Sequence, residues 1–153
     1  MSANVYSVKT GSVATTANAT KSLWLVNPVT NRFVVAEISV SFDGSSAAAG
    51  IGIELYRTTT LGSPTGTSTT PVKVTDPNSA AADATSLTTL TAEPTAVEIL
   101  AEWFVSPFGG LLDVQYPLGR EPGVAAAGAR IGLRYVTPAS VSPNARSYVL
   151  FDV

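Results

Sequence analysis

Histidine and cysteine are absent from all 153 residues, which removes the commonest general base, the thiolate nucleophile and the usual zinc ligands. Any chemistry must rest on hydroxyls, amines and carboxylates. A serine or threonine nucleophile needs a base within hydrogen-bond reach, and here only a lysine or a carboxylate is available. Lys9, Lys21 and Lys73 all lie in polar stretches, where the amine stays protonated. The sharpest acidic pair is Glu98 and Glu102, which simple alternation puts on one face of one strand. Four strand residues span roughly 13 Å, whereas paired glycosidase carboxylates sit about 5–5.5 or 6.5–9.5 Å apart. The pair reads as solvated strand charge; Asp113 on the next segment could approach one of the two, but no pattern in the sequence brings it there.

The other oxygen-bearing groups read as turns. Asp43, and Asp76 with Asn78, could ligate a hard cation, but neither has EF-hand spacing. Gly109-Gly110 and Gly119 are not followed by a helix, so they are turn residues and not phosphate cradles. No catalytic, cofactor or metal site is expected.

The elements that would position these residues are strands. From Arg32 to Asp43, Val34, Ala36, Ile38, Val40 and Phe42 alternate with Val35, Glu37, Ser39 and Ser41, the period of a half-buried strand. Asp43-Gly44-Ser45-Ser46 supplies a turn, and Ala49–Thr58 repeats the alternation with Ile51, Ile53 and Leu55 inward and Tyr56 outward. The two are expected to form an antiparallel hairpin. Val5–Lys9 and Ser22–Val26 read as shorter strands, the second closed by Asn27-Pro28. Ala96–Val105 puts Val97, Ile99, Ala101, Trp103 and Val105 inward. Leu111–Leu118 aligns Leu112, Val114, Tyr116 and Leu118, and Arg130–Thr137 aligns Ile131, Leu133 and Tyr135. Arg146–Val153 is apolar on both faces, which marks a strand central to the fold or covered by a neighbour.

Between these lies Thr59–Thr95, rich in Gly, Pro and Thr. It reads as a long loop insertion with a short strand at Pro71–Val74 and one helical turn after Asp76, and as a candidate partner-contacting arm. About eight strands with no long helix predict an all-β fold: a single antiparallel β-sandwich of the jelly-roll kind, one domain over 1–153.

Composition narrows the function. Charged residues are 13% of the chain against roughly 25% in an average soluble protein, and mean hydropathy is +0.26. So few charges point to an exterior partly buried against other subunits. The nine basic residues never form a run, which disfavours nucleic acid as a partner. No stretch approaches the ~20 apolar residues of a spanning helix, so no membrane partner is expected. Met1-Ser2-Ala3-Asn4-Val5-Tyr6 has no basic start followed by an apolar run, so no cleaved secretory leader is expected either. Trp103 reads as core and Trp24 is left unplaced, while Phe104 and Phe108 read as exposed anchors.

Four stretches carry a resemblance: Arg32–Gly44, Thr91-Ala92-Glu93-Pro94-Thr95, Gln115–Pro122, and Tyr148-Val149-Leu150-Phe151. Together they resemble small head-region proteins of tailed bacteriophages. The resemblance implies a capsid decoration, or cement, protein: a β-sandwich assembling as a trimer on the outside of a lattice of major capsid protein, put together in the host cytoplasm. It transfers no particular contact residue. Strand faces nominate Phe104, Phe108, Tyr116, Leu118 and Arg120 as the interface. The competing reading is a binding module, either a receptor-binding tip or a carbohydrate-binding sandwich.

Overall fold

Eight strands pair as one nested antiparallel ribbon folded over on itself. The computed structural model describes residues 4–44, 49–59, 62–125 and 128–153. In chain order the elements are β1 (Val5–Lys9), β2 (Val13–Ala14), β3 (Thr20–Pro28), β4 (Phe33–Phe42), β5 (Ile51–Thr58), β6 (Thr65–Thr69), β7 (Val72–Lys73), β8 (Ala84–Ala92), β9 (Glu98–Val105), β10 (Leu111–Gln115), β11 (Gly123–Val124), β12 (Arg130–Val136) and β13 (Asn144–Asp152). The nesting is β1 with β13, β3 with β12, β4 with β10 and β5 with β9. Folding the ribbon adds β13–β4 and β12–β5 contacts and yields two sheets. Sheet one runs β10-β4-β13-β1-β7, with β11 continuing β10 along β4 and β2 continuing β1 along β13; sheet two runs β6-β8-β3-β12-β5-β9. This is the expected jelly-roll sandwich.

The inner faces meet in one apolar core. Trp24, Phe33, Ile38, Ile53, Leu55, Ile131, Leu133 and Phe151 are all fully buried in it. Trp24, which alternation alone could not place, fixes the two sheets together: its indole N–H donates to Ser147 Oγ at 3.0 Å, and that hydroxyl donates to Ser39 O at 2.8 Å. The strand that is apolar on both faces, β13, is indeed central to its sheet.

Several local expectations are corrected. Strands β4 and β5 do not form a hairpin, because they belong to different sheets. A short polar link suits either arrangement, and β5 finds its apolar neighbours in β9 and β12. Ser45 and Ser46 of the expected turn lie outside the described residues, as do residues 1–3 of the expected leaderless start. The β4 register shifts by one at Ala36, so Phe33 and Val35 face the core before the bulge and Ile38, Val40 and Phe42 after it. One extra residue flips side chains to the other face. An equivalent shift at Leu100 turns Val97 and Ile99 away from the main core while Ala101, Trp103 and Val105 face it.

The insertion at 59–95 lies between the fourth and fifth strands of the roll and carries β6, β7 and β8. These strands widen both sheets beyond β1 and β3. Asp76 caps no helical turn. Its Oδ1 accepts Asn78 N–H at 2.8 Å and its carbonyl accepts Ser79 N–H at 3.1 Å, a tight turn ahead of β8.

Candidate interaction surface

The outer face of sheet two is built in rows, because hydrogen-bonded neighbours on adjacent strands present side chains side by side. One row reads Ile99, Tyr56, Gly132, Leu25 and Leu87 across β9, β5, β12, β3 and β8. The next reads Glu102, Glu54, Arg134 and Ser22, and the one beyond reads Phe104, Gly52, Val136 and Thr20. Two apolar rows thus flank a charged one.

The first apolar row is sealed. Tyr56 lies across Gly132, where a Cβ would stand 2.4 Å from its hydroxyl, and forms a second small core with Leu25, Leu90, Leu87 and Val97. Residues 93–97 cross this face on the way from β8 to β9. Glu93 accepts Ser22 N–H at 2.8 Å and the Ser22 hydroxyl on β3, while Ala96 O accepts the Thr58 hydroxyl on β5. With the Ser22 proton given to Glu93, Tyr56 donates to Ser22 Oγ at 2.7 Å. Burial pushes the Tyr56 phenol well above its ordinary range. Nothing in the sequence marked Glu93 as a structural anchor, although it lies in a stretch that carries the resemblance.

The second apolar row is open. Phe104 is 87% exposed and stands beside Gly50 and Gly52, with Val136 and Pro138 opposite, and the trough between them has a volume of about 560 Å³. Arg134 pairs with Glu54 in the charged row and lies 5.6 Å from the Tyr56 ring centroid.

Exposed apolar groups gather on one flank. Strands β9 and β10 are the edges of their respective sheets. Of eight exposed large hydrophobic side chains among the described residues, five (Ile99, Phe104, Phe108, Leu111 and Leu118) lie on these edges and their turns. The nominated interface residues separate here. Phe104 and Phe108 sit near the β9–β10 turn, with Phe108 against Gly44. Leu118 and Arg120 sit at the far end of β10, in a turn past the strand's end at Gln115, and Leu118 does not continue the inward row of Leu112, Val114 and Tyr116. Tyr116 packs against the main core, its N–H donating to Ala36 O at 2.9 Å, and burial raises its phenol pKa.

The carboxylates do not converge. The bulge at Leu100 sends Glu98 and Glu102 to opposite faces, which corrects the one-face expectation, and Glu98 pairs with Arg57 at 2.6 Å. Asp113 stands on the other sheet, close enough to Tyr148 to raise its phenol pKa. Asp43 is held by Asn144, which donates from its backbone N–H at 2.9 Å and its amide at 2.6 Å. Among the described residues no group of three or more acidic side chains is placed to hold a metal, and no helix is long and apolar enough to cross a membrane.

No family model and no curated protein matches the chain. Among solved structures it is similar to a chain from the crystal structure of the T13 IBDV viral particle, with 12% identity and a TM-score of 0.25. That alignment covers 97% of this chain and 39% of the other, so the chain spans about two fifths of its match. A likeness of this degree carries no functional argument.

Proposed function

We propose that the chain is a structural virion protein, a decoration protein that reinforces a phage head from outside by protein–protein contact. In this reading it assembles as a trimer, binds major capsid protein and joins the shell in the host cytoplasm. The observation that carries the proposal is the β9–β10 flank, where Phe104, Phe108 and Leu118 are 87%, 76% and 97% exposed. Exposed aromatic and aliphatic groups gathered along one flank mark an interaction site. The low charge density of the chain and the resemblance of its four sequence stretches to phage head proteins support the same reading. A stable contact on this flank buries at least about 1,000 Å² in total.

Co-sedimentation with purified expanded shells tests the proposal. Saturable binding is expected, and persistent failure to bind counts against it. A second reading, a glycan-binding module, draws on Phe104 and Trp103 both lining the trough. Saturable sugar binding by the isolated domain on a glycan array would favour that reading, since a decoration protein has no need of it.

A further inference from the structure

Leu118 stands at the tip of a rigid turn. Arg120 N–H donates to Pro117 O at 3.0 Å, and Gly119 has a φ of +84°, the left-handed backbone that the third position of a type II turn demands. The Glu121 carboxylate turns back to accept Gly119 N–H at 2.6 Å and pins the turn in place. Leu118 is 97% exposed, and neighbouring Arg120 is exposed with no ion-pair partner among the described residues. The chain therefore holds an apolar knob beside a free guanidinium, ordered before any partner arrives, which lowers the entropy lost on docking.

The trough on sheet two has the complementary chemistry. Its floor is Gly50 and Gly52, its walls are Phe104, Val136 and Pro138, and its rim carries Glu102. Glu54 is already paired with Arg134, whereas exposed Glu102 has no cationic partner among the described residues. A volume of about 560 Å³ holds a leucine side chain together with the backbone of the turn that presents it.

We infer that the Pro117–Arg120 turn of one copy seats Leu118 in the trough of a second copy, with Arg120 against Glu102. Knob and trough are different surfaces, so the contact is heterologous. Each copy presents both, and copies join head to tail into a ring when the rotation closes. The inference deepens the self-association in the proposed function and rests on that part of it.

Mass in solution, by sedimentation equilibrium at micromolar concentrations, tests the contact. The wild type is expected to be oligomeric. Leu118→Ser should weaken association at least about tenfold, as loss of a central anchor does, while leaving the circular dichroism spectrum unchanged because the side chain is exposed in the single chain. Glu102→Arg and Arg120→Glu should each weaken association, and the double variant should regain most of it. A monomeric wild type, an oligomer indifferent to Leu118→Ser, or a double variant no better than its parents overturns the inference. Shell co-sedimentation of the same variants separates the two proposals. A monomeric wild type that binds shells sinks this contact and the trimer with it, and leaves the binding to the shell standing. An oligomer sensitive to Leu118→Ser, with recovery in the charge-swapped pair but no shell binding, upholds the contact and sinks the decoration reading. If Leu118→Ser leaves the oligomer intact and abolishes shell binding, the knob belongs to the shell contact and the inference falls.

Discussion

Two apolar rows on the outer face of sheet two have the same grammar and opposite fates. Each places an aromatic residue on one strand beside a glycine on the next: Tyr56 with Gly132, and Phe104 with Gly52. In the first row the ring lies down over the glycine, its hydroxyl reaches Ser22, and the 93–97 crossing closes the lid with Glu93 and Val97. In the second row Phe104 stands clear of Gly52 and no described segment of the chain crosses above it. The charged row of Glu102, Glu54 and Arg134 separates them. Covering one apolar patch internally stabilises the fold. The other is left bare, with Phe104 87% exposed.

The largest expected effect contrasts the two aromatics directly. Tyr56→Ala should cost about 3–5 kcal/mol of unfolding free energy, as removal of a fully buried ring does. Phe104→Ala should stay within about 0.5 kcal/mol. Urea denaturation of both variants, at protein concentrations low enough to dissociate any oligomer, measures this, and an equal cost would mean that Phe104 is packed within the single chain. The glycines sharpen the contrast. Gly132→Ala drives a Cβ to 2.5 Å from Tyr56 Cζ and should cost about 1–3 kcal/mol by overpacking. At Gly52 the nearest atom is Val136 Cβ at 3.3 Å, so Gly52→Ala should lie within about 1 kcal/mol of neutral. In a Tyr56→Ala background the Gly132→Ala penalty should largely vanish, the coupling that a double-mutant cycle reads.

Anchoring of the crossing segment comes next. Glu93→Ala removes the acceptor for the Ser22 N–H and hydroxyl and should cost about 1–2 kcal/mol, with the exposed share of the carboxylate lowering the usual value for a charged hydrogen bond. Hydrogen exchange should speed up over residues 93–97 and leave the Phe104 row unchanged.

The smallest effect lies on sheet one. Tyr148 donates to the Glu37 carboxylate, which holds the phenol proton and pushes its pKa up to about 12, with burial adding to the shift. The folded chain thus binds this proton more tightly than the unfolded chain, whose tyrosines titrate near 10. The resulting stability is intact below about pH 10 and is lost as pH rises towards about 12. Glu37→Gln should bring the titration back towards 10, readable as tyrosinate absorbance, with little change in Tm at neutral pH.

All eight strands of the roll were legible as short apolar runs bounded by turn residues, most of them with a period of two, although β3 buries Leu23, Trp24, Leu25 and Val26 in succession and shows no alternation. Strand β8 was not, since Ala84, Ser86 and Thr88 fill its inward positions with small and hydroxylated groups. Ser86 is satisfied by donating to Thr69 O on neighbouring β6, a partner 17 residues away that no local pattern signals. The bulges at Ala36 and Leu100 were equally silent. A shift of register leaves composition unchanged and alters only which neighbour each residue meets. Of the five nominated interface residues, Phe104, Phe108, Leu118 and Arg120 are exposed and Tyr116 packs against the core, and their division between two ends of β10 depended on where that strand stops.

The amino-acid order by itself determined that this is a helix-poor, two-layered β protein with little charge and neither histidine nor cysteine. Alternation states which side of its own strand a residue occupies, and that is local information. Only the tertiary structure decided which greasy row receives a cover, because covering Tyr56 depends on Glu93 and Ser22 meeting across 71 residues of chain. Such a meeting is set by the route of the insertion over the sheet, which the periodicity of no single segment contains.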